Sequence, residues 1–270
     1  KVKNMFVISF STLFGLIIGL ALFVYAIVTS TDNYVMFISV SSMLLVLGGT
    51  LAATMIAYQG KYVLKTLGSL FSIIGPFNLN TKTIFADVGR VIEFSTIAKK
   101  QGPLAIERIL TEIEKKDPLI VFGVNLLSSG YNGKDVREML EDTVESNFSR
   151  NMVQANILAS MAAFCPAFGM IGTLVGLVIM FEKMGNDIGA IGKGMALALL
   201  TTLYGVLITQ LFFKPASEKV RQREEIYRFR NLLIMEGLAM IADGKDTLSI
   251  QDRLNSFLDP KVHFKVAKGM

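Results

Sequence analysis

The chain has no tryptophan, one cysteine, one histidine and six prolines in 270 residues, and each shortage closes off a kind of chemistry. A lone cysteine, Cys165, cannot form an intrachain disulfide, and it suggests neither a metal cluster nor a redox pair. The lone histidine, His263, lies in the C-terminal tail, so Cys165 has no imidazole near it in sequence. No phosphate-cradling glycine loop follows a strand; Gly185, Gly189, Gly192 and Gly194 are spread loosely around a turn. No enzyme is expected. Charge is the larger shortage. Asp, Glu, Lys and Arg make up 18% of the chain, against about 25% in a typical soluble domain. The deficit is concentrated in four runs, residues 4–31, 33–60, 151–181 and 194–213, which contain none of the four.

About 20 apolar residues, at ~1.5 Å rise each, cross a hydrocarbon core of roughly 30 Å, and all four runs reach that length. The expected fold class is an all-α membrane protein with four transmembrane helices. A helical cytoplasmic domain separates spans two and three, and a helical tail follows span four. The predicted spans are 5–28, 35–58, 156–181 and 194–213. They give an N-terminal hairpin (1–60), a cytoplasmic domain (61–150), a second hairpin (151–214) and C-terminal helices (215–270). The apolar part of the first run, Met5 to Val28, exceeds the roughly 7–15 residue core of a signal peptide, so it reads as a retained span. The chain opens on Lys rather than Met, which leaves a short leader open.

Orientation follows from the basic residues. Of 27, 2 precede span one, 12 lie between spans two and three, and 11 follow span four. The connection "TSTDNY" has none, and "EKMGNDIGAIGK" has Lys183 and Lys193 alone. Both termini and the middle segment are therefore expected in the cytoplasm. The net charge of +5 needs no nucleic acid to explain it.

The soluble segments read as helices. "FADVGRVIEFSTIAKK" (85–100) and "PLAIERILTEIEKK" (103–116) mix apolar and charged positions at helical spacing, with "QGP" between them. Val136, Leu140, Val144, Phe148 and Met152 recur every four residues and lead into span three, predicting one long helix. "ASEKVRQREEIYRFRNLLIMEGLAMIADG" predicts another, ended by a C-cap at Gly244.

No span contains an ionisable acid or base, although ion pathways normally use intramembrane carboxylates. A chain of this kind that conducts ions must take its titrating carboxylate from another chain. The spans carry small and hydroxylic residues instead. Gly169, Gly172, Thr173 and Gly176 fall on one face of span three, and Ala198, Thr202, Gly205 and Thr209 on one face of span four. Such faces serve either close helix packing or a pore lining. Pro166 lacks an amide donor and should free or strain the carbonyl of Ala162.

"CPAFGMIGTLVGLV" followed by "GKGMALALLTTLYGVLITQLFFKPASEKV" resembles spans three and four of the MotA/PomA family, the A subunits of bacterial flagellar stators. The match is closest to the PomA branch at "GMIGTLVGL" and "LLTTLYG". The related ExbB and TolQ proteins have one span, not a hairpin, before their cytoplasmic segment. The resemblance implies a pentamer of A subunits around a dimer of B subunits, whose single span carries an aspartate, in the bacterial inner membrane. It implies an ion pathway lined by Gly169, Gly172, Thr173, Gly176, Ala198, Thr201, Thr202 and Gly205, and functional prolines at Pro166 and Pro215. It also implies contact with the rotor protein FliG through Lys99, Lys100 and Glu107. Arg108 departs from the PomA pattern, which has an acid there. A charged stretch of this kind otherwise reads as a solvated helix face.

No cofactor is expected. The resemblance to sodium-driven members, which place threonine at the positions of Thr173 and Thr202, implies sodium as the transported ion, with the proton as alternative. It makes these two hydroxyls the candidate sodium ligands, since they bind a dehydrated ion without adding charge. Two other outputs stay open: the same motor driving gliding, phage defence or outer-membrane energisation, and a membrane scaffold whose small-residue faces only pack.

Overall fold

The computed structural model describes residues 10–73, 81–183 and 188–264. The start of span one at Met5, and Gly185, lie outside the described residues. Among these residues the secondary structure is helical, with no strand. Helices α1 (Phe10–Ser30), α2 (Val40–Ala57) and α3 (Gly60–Ile73) precede α4 (Thr81–Gln101), α5 (Leu104–Ile109) and α6 (Pro118–Ser128). Then come α7 (Gly133–Lys183), α8 (Ile188–Ile208), a π-helical turn (Thr209–Phe213), α9 (Lys214–Ala242) and α10 (Thr247–Asn255). Four stretches are long and apolar enough to cross a membrane, within Thr12–Ser30, Tyr34–Ala57, Gly133–Glu182 and Ile191–Ala242. The chain divides into two compact units, Lys1–Pro76 with Met152–Gln222 and Phe77–Asn151 with Arg223–Met270.

The first unit holds the four membrane stretches. None of the Thr12–Ser30 window is buried; α1 meets its neighbours where Gly19 faces Leu211 and where Lys219 bonds Thr12. The second span is not one helix. A 3-10 turn at Tyr34–Phe37 comes first, and Ser39 then caps α2 by accepting the Ser42 amide. On α2, Ser42, Val46, Thr50 and Thr54 form the buried face at every fourth residue. The Thr50 and Thr54 hydroxyls donate to the carbonyls of Val46 (2.6 Å) and Thr50 (2.7 Å). Each buried hydroxyl is thereby satisfied where water cannot reach it. Tyr204 fastens α8 to the head of α2: its hydroxyl donates to the Phe37 carbonyl at 2.5 Å and accepts the Ser39 amide at 2.9 Å.

The second unit packs α4, α5, α6, the first part of α7, the later part of α9 and α10 around one core. Phe94, Ile106, Leu140, Leu238, Ile250 and Leu254 are all essentially inaccessible. The C-terminal segment thus shares a core with residues 77–151. Charged side chains fix the helices around it. Arg230 bonds Asp87 (2.7 Å) and Asp117 (2.6 Å), and Glu236 takes Arg137 (3.0 Å) and Arg253 (2.9 Å). Helix α9 ends as expected, with Gly244 at φ +66° and the Lys245 amide returning to the Met240 carbonyl.

The long helix predicted from Val136 onward is α7, 51 residues without a break. The helix predicted over 103–116 is much shorter: α5 stops at Ile109, and Leu110 turns to ψ 126°. The stop has a local cause. Thr111 and Glu114 form a reciprocal capping box, in which the Glu114 carboxylate accepts the Thr111 amide and hydroxyl, each at 2.7 Å. The Thr111 hydroxyl in turn accepts the Glu114 amide at 3.3 Å. Arg90 completes the turn, bonding both Glu114 oxygens (2.7 and 2.8 Å) and the Ile109 carbonyl (3.1 Å).

Candidate functional site in the membrane unit

The small-residue faces of α7 and α8 meet each other. A Cβ added to Gly205 would lie 2.9 Å from the Cys165 carbonyl oxygen and 3.2 Å from Pro166 Cα. One on Gly169 would lie 3.0 Å from the Thr201 carbonyl oxygen, and one on Gly176 would lie 2.6 Å from that of Gly194. Backbone touches backbone along this seam, which is the geometry of small-residue packing between membrane helices. Gly169, Gly172, Gly176, Ala198, Thr201 and Gly205 are all buried in it. Within this chain these residues pack helix against helix. Thr201 turns its hydroxyl back onto the carbonyls of Leu197 (2.9 Å) and Ala198 (3.0 Å).

Thr173 and Thr202 differ from these. Thr202 is exposed and Thr173 half-buried at the edge of the seam. Their hydroxyl oxygens are 2.5 Å apart. The Thr173 hydroxyl is also 3.1 Å from the Ala198 carbonyl oxygen and 3.2 Å from that of Gly169, and the Thr202 hydroxyl is 3.4 Å from the latter. Four oxygens, two hydroxyl and two carbonyl, are therefore gathered without a formal charge. Hard cations favour such all-oxygen surroundings, and a counter-charge must come from outside the four runs. No group of His, Cys, Asp and Glu suited to a metal occurs among the described residues.

The two prolines sit on either side of an irregular stretch. Pro166 lies inside α7, and the Ala162 carbonyl that it leaves without an amide accepts the Thr209 hydroxyl at 3.3 Å. Pro215 is the second residue of α9, one residue beyond the π-helical turn, where the Lys214 amide reaches back to the Thr209 carbonyl. The wider turn accommodates a ring that a regular α-helix would clash with.

In the second unit, Lys99 and Lys100 are exposed in the last turn of α4, and Glu107 and Arg108 are exposed on α5. Gly102, at φ +84°, reverses the chain between the two helices. Among the described residues no ion pair engages these four side chains; hydrogen bonds from Ser249, and to a smaller extent the Lys99 charge, hold the Asp246 carboxyl below its usual range. Tyr204 and the Gly169 and Ala198 carbonyls are contributions that the residue pattern did not single out. Tyr204 lay in the "LLTTLYG" motif, but backbone oxygens leave no mark in a sequence.

Four apolar stretches long enough to cross a membrane, two of them joined by a close-packed seam with uncharged oxygens at its edge, mark a multi-span membrane subunit rather than a single anchor. Residues 111–230 match the model of the MotA/TolQ/ExbB proton channel family. The chain is 32% identical to the chemotaxis protein PomA of Vibrio alginolyticus, over 92% of this chain and 95% of that one. It is 31% identical to motility protein A of Borreliella burgdorferi over 68% of this chain and 70% of that one. Its fold matches that of the flagellar MotAB stator complex from Bacillus subtilis with a TM-score of 0.82 at 20% identity, covering 93% of this chain and 97% of that one. The chain belongs to the MotA/PomA family, the ion-channel A subunits of flagellar stators.

Proposed function

We propose that this chain works as a sodium-conducting stator subunit with a B subunit that supplies a membrane aspartate and a wall anchor. Five copies would ring two B spans in the bacterial inner membrane, with both termini cytoplasmic. Inward ion transfer on and off the B aspartate would turn the ring, and Lys99, Lys100 and Glu107 would pass the motion to FliG on the rotor. The observation that carries this reading is the uncharged oxygen cluster at Thr173 and Thr202, in spans without a carboxylate of their own.

The same cluster supports sodium as the ion. A proton needs a carboxylate and nothing more, whereas a dehydrated sodium ion needs several oxygens at once. Two hydroxyls and two carbonyls on one chain, beside a carboxylate from another, provide them. In the closed pair the two hydroxyls bond each other, so an entering ion must part them and take both lone-pair sets.

The test is ion replacement. In cells expressing this chain with its B partner, exchanging sodium for potassium at fixed pH should stop rotation and ion flux, and Thr173→Ala should lower the flux at limiting sodium. Unchanged rotation without sodium, together with collapse under a protonophore, would make the proton the driving ion and Thr173 and Thr202 packing residues.

A further inference from the structure

We propose that Thr209 is a positioning residue for ion transfer, because its hydroxyl takes the place of the amide that Pro166 lacks and so fixes the register of α8 against α7. The inference rests on the ion path at Thr173 and Thr202.

In a regular helix the residue at 166 would donate its amide to the carbonyl of Ala162. Proline has none to give, and an orphaned carbonyl inside a membrane protein is costly. Thr209, 4% exposed, supplies the missing donor from across the seam at 3.3 Å. The Thr173 and Thr202 hydroxyls also bond across the seam, but those are the bonds an entering ion parts, so Thr209 is the directional contact that remains when they open. Gly205 rests on the backbone of Cys165, Pro166 and Gly169, and glycine against backbone sets a distance between helices but not an offset along them. A hydrogen bond to one particular carbonyl sets the offset. Thr209 and Thr202 are seven residues apart, two turns and about 10 Å along the helix, so both lie on one face. Holding Thr209 at Ala162 holds Thr202 opposite Thr173. The π-helical turn headed by Thr209 lets the segment after it change its path without moving the part that carries Thr202.

The experiment uses the intact complex of this chain with its B partner. Thr209→Val keeps the shape and removes the hydroxyl; Thr209→Ser keeps the hydroxyl. Sodium flux should fall about tenfold in Thr209→Val and return to within twofold of the parent in Thr209→Ser. A second arm does not depend on flux. In Pro166→Ala the new amide at 166 satisfies the Ala162 carbonyl, so Thr209→Val should lower the thermal midpoint of the parent complex by a few degrees and leave that of Pro166→Ala unchanged. Equal losses in both backgrounds would overturn the hydroxyl-for-amide replacement. A loss confined to the parent background, with undiminished flux, would overturn the positioning role. If flux also ignores Thr173→Ala and Thr202→Ala, the ion-path reading fails, whatever the thermal result.

Discussion

Replacing Glu114 with Gln tests how firmly the α4–α5 hairpin is held. Burial by itself would raise the Glu114 carboxyl, but hydrogen bonds from Arg90 and Thr111 and the Arg90 charge hold it down, from an ordinary 4.5 to about 2. At 1.36 kcal/mol per pKa unit that depression corresponds to about 3 kcal/mol. The Glu114 side chain is 11% exposed but Arg90 is 28% exposed, so solvent screening brings the working figure to about 2 kcal/mol. That is about thirtyfold in an opening equilibrium. Arg90 keeps Glu93 at 2.6 Å in the variant, so no bare guanidinium is left behind. Hydrogen exchange at the Thr111 amide, which Glu114 accepts directly, reads the effect at one residue. Corrected for the intrinsic rate, its protection should fall about thirtyfold in Glu114→Gln at pH 7. Because the folded carboxyl is depressed, the stabilisation is complete above pH 4.5 and lost as pH falls toward 2. Parent protection should therefore stay level from pH 7 to pH 5.5 and decline below 4.5. Protection that is flat down to pH 3, or the same in both proteins, would refute the pinned turn.

Two other outcomes follow from the geometry. Gly176→Val places side-chain atoms against the Gly194 carbonyl and the Ala198 amide, where a Cβ already comes within 2.7 Å of both. It should cost about 3 kcal/mol by overpacking, seen as a lower thermal midpoint of the complex. Gly192→Ala, with nothing within 4 Å of the added carbon, should leave the midpoint unchanged. Reversing both charges in Lys99→Glu with Glu107→Lys should impair motility while complex assembly and ion flux stay intact; normal swimming would make the pair a solvated face.

The sequence exposed the elements whose cause is periodic and hid those whose cause is a single contact. Four charge-free runs marked the membrane stretches, and the recurrence from Val136 to Met152 marked α7. The end of α5 was written as Thr111-Glu112-Ile113-Glu114, a capping box. It was outweighed by apolar spacing that continued through it, and Arg90, which makes the box firm, is 21 residues upstream of Thr111. The π-helical turn had a proline beside it as its one hint. Within the site, residue type brought Thr173 and Thr202 forward together with six buried neighbours. Exposure separates them, and exposure depends on which way two helices face each other.

Helix α1 bears on a different matter, the thickness of the bilayer. The described part of its apolar run, Thr12–Ser30, has 19 residues, about 29 Å of helix, enough by itself to reach across nearly all of a hydrocarbon layer of roughly 30 Å. None of that stretch is fully buried: one half-buried face, running through Leu16, Gly19, Leu20, Phe23 and Ile27, turns toward its own unit, and the rest of its surface is exposed. Mismatch costs only fractions of a kcal/mol per Å and is relieved by tilt, and a lightly attached helix tilts most readily. A thinner or thicker membrane would then lean α1 and leave the close-packed α7–α8 seam at its own spacing. Helix α1 would act as a compliant bearing between a lipid environment that varies and a helix seam that does not.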